Sequence, residues 1–151
     1  MRSVSVQQVI LDDLPAVSRL FDQYRQFQGQ PADPTGSEQF LRARIDHGES
    51  VLFLARVGGQ GMGFAQLYPI YSSVSLKRVF VLNDLFVSDA GRRQGLATAL
   101  LEAARSYAWS MGASSLRLHV ARGNLQAQAL YAARGWILDD HFMMYQRFPD
   151  D

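Results

Sequence analysis

At 151 residues, 48% of them hydrophobic and 19% charged, the chain has the length and make-up of one ordinary globular domain, which excludes a disordered or low-complexity polypeptide. Its 15 Lys and Arg residues stand against 14 Asp and Glu, a formal net charge of +1, so charge gives no reason to expect nucleic acid or an acidic membrane as partner. Cysteine is absent, which excludes disulfides, thiolate metal ligands and a cysteine nucleophile. No apolar run approaches the ~18 residues needed to span a bilayer, and Met1-Arg2-Ser3-Val4 does not open like a signal peptide. The expectation is one soluble, cytoplasmic domain over residues 1–151, with no nucleic-acid or membrane partner.

Taken in chain order, Val4 to Ile10 suits a short first strand. Asp12 and Asp13 offer N-caps, Pro15 is tolerated in a first helical turn, and Leu14, Val17, Leu20, Phe21 and Tyr24 recur at helical spacing. Gln28 to Gly36, with two Gly and two Pro, reads as loop. A second helix follows, with Thr35 and Glu38 placed like a capping box and Phe40, Leu41 and Ile45 on one face. Val51 to Val57 predicts a strand closed by the turn Gly58-Gly59-Gln60-Gly61, and Met62 to Ile70 and Lys77 to Val87 predict two more. Their short connections argue for antiparallel pairing. The clearest helix carries Ala97, Leu100, Leu101, Ala104, Tyr107, Ala108 and Met111 on one face and stops at Gly112. A strand over Ser115 to Val120, a helix over Leu125 to Arg134 and two closing strands within Trp136 to Phe148 complete the chain. The order β-α-α-β-β-β-α-β-α-β-β predicts an α/β fold, one mixed sheet with helices packed on its faces. The long helix makes the connection between Lys77–Val87 and Ser115–Val120 a crossover, so these two strands should run parallel.

The junction between the strand Lys77–Val87 and the long helix carries the chemistry. The first N–H groups of a helix lack intrahelical acceptors, and the dipole there favours negative charge. Gly95 allows close approach to the backbone, and Arg92 and Arg93 add charge-assisted contacts, so the junction predicts a bound phosphate or pyrophosphate. It has neither the Gly-Lys-Ser/Thr ending of a P-loop nor a Gly-x-Gly-x-x-Gly fingerprint.

Arg92-x-x-Gly95-x-Ala97 resembles the Arg/Gln-x-x-Gly-x-Gly/Ala signature of the GNAT superfamily of N-acetyltransferases, and Asn124 through Trp136 resembles that superfamily's Asn-x-x-Ala-x-x-Phe/Leu-Tyr-x-x-x-Gly-Phe/Trp element. The resemblance covers nearly the whole chain, most firmly Val79 to Trp136. Gly63-Phe64-Ala65, Leu82 to Val87 and Asn124 to Tyr131 look closest to the spermidine/spermine (small-amine) branch, although that branch carries Glu-Asp where this sequence has Asn83-Asp84.

The resemblance implies a single-domain, mostly antiparallel mixed sheet with one splayed parallel pair. It also implies transfer of acetyl from acetyl-coenzyme A to a primary amine by direct attack, with no metal. The pyrophosphate would lie on Arg92, Arg93, Gln94, Gly95, Leu96, Ala97 and Thr98, and the pantetheine arm along the backbone of Leu85, Phe86 and Val87. Asn124, Ala127 and Tyr131 would complete the cofactor site, with Tyr131 as general acid toward the departing thiolate. Asp84 is the carboxylate on this strand, open to a role as base, in substrate-charge recognition or in a structural hydrogen bond, and strand alternation places it on the opposite face from Asn83. An acceptor site is implied at Tyr24, Phe27, Asn83 and Asp84, with Asp33, Glu38, Tyr68, Tyr71 and Ser72 nearby. The acceptor is expected to be a small amine; a protein or peptide amine, or coenzyme A binding without catalysis, is the alternative. Superfamily members often pair as homodimers, for which Phe142 to Tyr145 is suited. His47, His119 and His141 lack a second ligand at metal-binding spacing and read as structural.

Overall fold

The computed structural model describes residues 3–150, which fall into two compact units meeting in sequence between His119 and Val120. The first contains β1 (Val4–Gln8), α1 (Leu14–Phe27), α2 (Pro34–Asp46), β2 (Val51–Val57), β3 (Gln60–Ser72), β4 (Lys77–Val87), α3 (Leu96–Ser110) and β5 (Ser115–Leu118); the second contains α4 (Leu125–Ala133). The strands form one sheet in the order β1-β2-β3-β4-β5. The first three pairings are antiparallel and β4–β5 is parallel, which is the α/β, mixed-sheet architecture read from the sequence.

Two-residue alternation sorts this sheet into two apolar faces. Leu52, Leu54 and Phe64 point to one side, where they bury against Leu14, Val17, Leu20 and Phe21 of α1 and Leu41 of α2. Phe53 and Phe80 point to the other and meet the Tyr107 ring of α3 edge-on at 5.8 and 5.5 Å. Gly63 lets α3 close onto β3: a Cβ there would lie 3.3 Å from Leu100 Cδ1 and 3.1 Å from the Phe86 carbonyl. The β2–β3 hairpin turns through Gly58 and Gly59, with φ of 58° and 84°, the positive values that a two-residue turn matched to strand twist requires.

Three details differ from the sequence reading. The α2 helix starts at Pro34 and is capped by Asp33, whose Oδ1 accepts from the Gly36 N–H at 3.0 Å. An Asp followed by Pro at the first helical position supplies both a cap and a pre-set φ, which outcompetes the Thr35/Glu38 box; Glu38 instead pairs with Arg42 at 3.1 Å. The β5 strand ends at Leu118, so His119 lies beyond it. No strand forms within residues 136–150. Their β-favourable side chains become a strand only when the backbone finds a ladder, and here Ile137, Leu138, Phe142, Met143 and Met144 are exposed while the His141 N–H turns onto Asp139 Oδ1 at 2.8 Å.

Buried Asp22 ties α1 to the cap and first turn of α2. Its Oδ1 accepts from the Asp33 N–H and the Ser37 hydroxyl, both at 2.9 Å, and its Oδ2 from the Gln26 amide at 3.1 Å. Burial alone would raise the Asp22 carboxyl, but these donors and the nearby Arg25 hold it below its ordinary value.

Candidate active site

The site starts from an irregularity in the sheet. Leu67 of β3 pairs with Leu82 of β4, but the next residue back, Gln66, pairs with Asp84, which leaves Asn83 as the extra residue of a β-bulge. A bulge breaks alternation. Asn83 and Asp84 therefore share one cleft, with the Asn83 amide donating to Asp84 Oδ1 at 3.2 Å, where alternation had put them on opposite faces. The second carboxylate oxygen accepts from Gln66 Nε2 at 2.8 Å, and Gln66 Oε1 accepts from the Ser50 hydroxyl at 2.7 Å. Gln66 is 0% exposed and Asp84 is buried. An ionised carboxylate has about four acceptor positions, so two amide donors orient Asp84 and leave it capacity toward a ligand.

The cleft has a volume of about 380 Å³. Asn83, Asp84 and Tyr68 of the sheet line it, opposite Phe21, Tyr24 and Arg25 of α1. Asp33, Gly36, Ser37 and Phe40, from the start of α2 and its cap, complete the lining. Phe21 and Phe40 stack at 5.7 Å, and Tyr24 meets the Phe64 ring edge-on at 5.7 Å, so this wall is held by aromatic packing. Burial, followed by the charge of Asp84, pushes the Tyr68 phenol above its ordinary value, keeping it a hydrogen-bond donor at neutral pH.

Of the residues singled out for the acceptor, Tyr24, Asp33, Tyr68, Asn83 and Asp84 meet in this cleft; Phe27, Glu38, Tyr71 and Ser72 are not among its lining. Phe27 is 66% exposed and lies beside Phe86 and the Arg92 guanidinium, at 6.1 and 5.8 Å. Arg25, Ser37, Ser50 and Gln66 escaped the sequence reading. Gln66 carried a readable signal, an amide inside the apolar run Met62–Leu67, since a polar side chain buried in a strand needs partners.

The β4–β5 ladder covers only Val79–Leu82 against Ser115–Leu118. Beyond it, Leu85, Phe86 and Val87 remain paired to β3 through Ala65, Phe64 and Gly63, and no pairing with β5 continues on their other edge. A strand edge of this kind accepts an extended ligand through main-chain hydrogen bonds. The chain then runs through a 3-10 turn over Asp89–Gly91 into the loop before α3. Gly91 is packed so closely that a Cβ would lie 2.8 Å from Met62 Cβ. Arg93 and Gly95 adopt φ of 62° and 79°, and Gly95 caps α3 without a side-chain hydrogen bond. The first intrahelical bond runs from the Ala99 N–H to the Gly95 carbonyl, leaving the N–H groups of Leu96, Ala97 and Thr98 for an outside acceptor. Arg93, Gln94 and Gly95 are exposed around that end. Arg92 is held by Asp89 at 3.1 Å and by the Val87 carbonyl at 3.4 Å. This is the anion-binding end of a helix, and its residues fit a diphosphate.

In the second unit, Asn124 is the N-cap of α4, its Oδ1 accepting from the Ala127 N–H at 3.1 Å. Tyr131 is half-buried with its ring 5.9 Å from Trp136, and burial pushes its phenol above the ordinary value. His47 caps the C-terminal end of α2, with Nδ1 2.8 Å from the Ala43 carbonyl.

Residues 15–136 match the model of the Acetyltransferase (GNAT) family, a span that includes all but the first residue of α1, the bulged strand, the loop before α3 and α4. The chain belongs to the GNAT family. It is 42% identical over 142 residues to the uncharacterized N-acetyltransferase YhfO of Bacillus subtilis (strain 168), covering 94% of this chain and 95% of that one. The crystal structure of a probable acetyltransferase superposes with a TM-score of 0.92 at 37% identity, covering 97% and 99% of the two chains. The aminoglycoside N-acetyltransferase AAC(6')-Iy in complex with CoA shares the fold at a TM-score of 0.79 and 19% identity, covering 97% and 96%. The protein is thus an N-acetyltransferase, and GNAT acetyltransferases use acetyl-coenzyme A.

Proposed function

We propose that this GNAT enzyme acetylates a small primary amine bound in the cleft at Asp84, with acetyl-coenzyme A held along β4 and the start of α3. The observation that carries the reading is the buried carboxylate at the bulge, fixed by Gln66 and Asn83 and facing a cleft with aromatic walls. A fixed negative charge beside aromatic faces suits an ammonium group, and about 380 Å³ is the volume of a small-molecule site. In this reading Asp84 draws in the ammonium and receives its proton, while Tyr24, Tyr68 and Asn83 orient the amine.

Arg93, Gln94 and the N–H groups of Leu96, Ala97 and Thr98 would hold the diphosphate, with Arg92 fixing the loop through Asp89. The edge of Leu85, Phe86 and Val87 would hold the pantetheine arm, and Asn124 and Ala127 would support the helix that presents Tyr131. Acetyl-coenzyme A supplies the activated thioester. Tyr131 keeps a proton on its phenol oxygen for the leaving thiolate, which its raised pKa suits at neutral pH.

The test is thiol release from acetyl-coenzyme A with polyamines, amino acids, aminoglycosides and N-terminal peptides, each product identified by mass. Turnover of at least one small amine, with kcat/KM in the ordinary range above ~10⁴ M⁻¹s⁻¹, is expected. Turnover confined to peptides would replace the small acceptor by a protein amine, and cofactor binding without turnover on any amine would contradict the catalytic reading of this cleft.

A further inference from the structure

We propose that Arg25 makes the cleft selective for amines that also carry a carboxylate, so that the acceptor belongs to the amino acid class. The inference rests on the small-amine reading and narrows it.

Arg25 lines the same cleft as Asp84, and its Nη1 is buried without a hydrogen-bond partner among the described residues. The carboxylate beside it, Asp22, has its Oδ1 3.9 Å away, beyond hydrogen-bond length. Asp22 has little left to give, because Asp33, Ser37 and Gln26 already donate to its two oxygens. Asp22 therefore balances the charge of Arg25 without satisfying its N–H. A buried N–H donor left in this state, on a side chain that is 30% exposed overall, favours any ligand that brings it an anionic acceptor.

The cleft thus offers an acceptor-only carboxylate at Asp84 and an unsatisfied cationic donor at Arg25. An acceptor that is cationic throughout would satisfy the first and set a like charge near the second. A phosphorylated amine would bring a dianion into a cleft that also contains Asp33 and Asp84, so a singly charged carboxylate is the better match. A molecule with one ammonium and one carboxylate complements both ends.

The experiment measures thiol release from acetyl-coenzyme A with pairs that differ only in the carboxylate: glycine and glycinamide, β-alanine and its amide, 4-aminobutanoate and its amide. Rates are referred to the unprotonated amine, and polyamines and an aminoglycoside serve as cations without a carboxylate. The expected result is a preference of about 10–100-fold in kcat/KM for the acid of at least one pair, the size of one charge-assisted hydrogen bond. In Arg25→Gln that acid-to-amide ratio should collapse to within about threefold. Arg25→Lys, which keeps the charge but loses the planar fork, should fall between, and it carries the test alone if Arg25→Gln does not fold. Turnover of amides or polyamines with no preference for acids overturns the proposal and leaves the small-amine reading standing, as does a preference that survives in Arg25→Gln. Failure of every small amine overturns both.

Discussion

Asp84→Asn should lower kcat for amine acetylation by about 10²–10³-fold, the range of a lost proton acceptor, with the melting temperature nearly unchanged. The substitution is close to isosteric, and the surrounding network can absorb it. Asp84 accepts from the amides of Gln66 and Asn83, and an Asn at this position would meet at least one of them donor to donor. Gln66 can turn its amide over, because its other partner is the Ser50 hydroxyl, which donates or accepts as needed. What cannot be recovered is the negative charge in the cleft. Steady-state kinetics and thermal melting on one preparation separate the possible roles. A rise in KM with kcat intact would confine Asp84 to drawing in the ammonium. Wild-type kinetics with a lower melting temperature would make it a structural hydrogen-bond partner only.

Tyr131→Phe comes next in expected size, with kcat falling at least about tenfold even if water substitutes as donor. The ring keeps its packing against Trp136, 5.9 Å away, so stability and cofactor affinity should barely move. Burial raises the phenol's pKa above its ordinary ~10, which fixes the sign of a pH test. The proton stays on Tyr131 through pH 6–9, so any loss of wild-type activity within that window must come from another group and must persist in Tyr131→Phe. Near-normal kcat under conditions where chemistry limits the rate would remove Tyr131 from the mechanism. A basic limb below about pH 9 that disappears in the variant would instead assign that titration to Tyr131 and contradict its raised pKa.

The difference between what was readable and what was not lies in which interactions are local. Gly58-Gly59 announces a hairpin because both turn residues need positive φ, and the apolar stripe of α3 announces its buried face; both are decided within a few residues. The junction between β4 and α3 was readable for the same reason, since a strand, a Gly and a helix start are consecutive in sequence. The bulge at Asn83 was not. Its position is set by how β4 registers against Gln66 and Leu67, residues on a different strand, and period-two alternation cannot register an extra residue. The same slip hid the pairing of Asn83 with Asp84 and the line of hydrogen bonds back to Ser50. Arg25 was missed because a single Arg one turn after buried Phe21 carries no local signal, and the cleft it lines is completed by Asp33, Gly36, Ser37 and Phe40 from a later part of the chain. The start of α2 went astray between two valid local signals, and the strands expected within residues 136–150 show that composition favours a strand without supplying its partner.

The measurement closest to the central claim is calorimetric titration of acetyl-coenzyme A into the wild-type protein and into Gly95→Glu. Gly95 sits at φ 79° with no atom within 4 Å of an added Cβ, so a side chain there has room but imposes backbone strain. A Glu places negative charge against the N–H groups of Leu96, Ala97 and Thr98, where the diphosphate is to bind. The expected result is binding by the wild type and a loss of at least about 100-fold in affinity in the variant, corresponding to ~2.7 kcal/mol, with circular dichroism showing that the variant is folded. Undiminished affinity in a folded Gly95→Glu protein would contradict the placement of the cofactor at the start of α3.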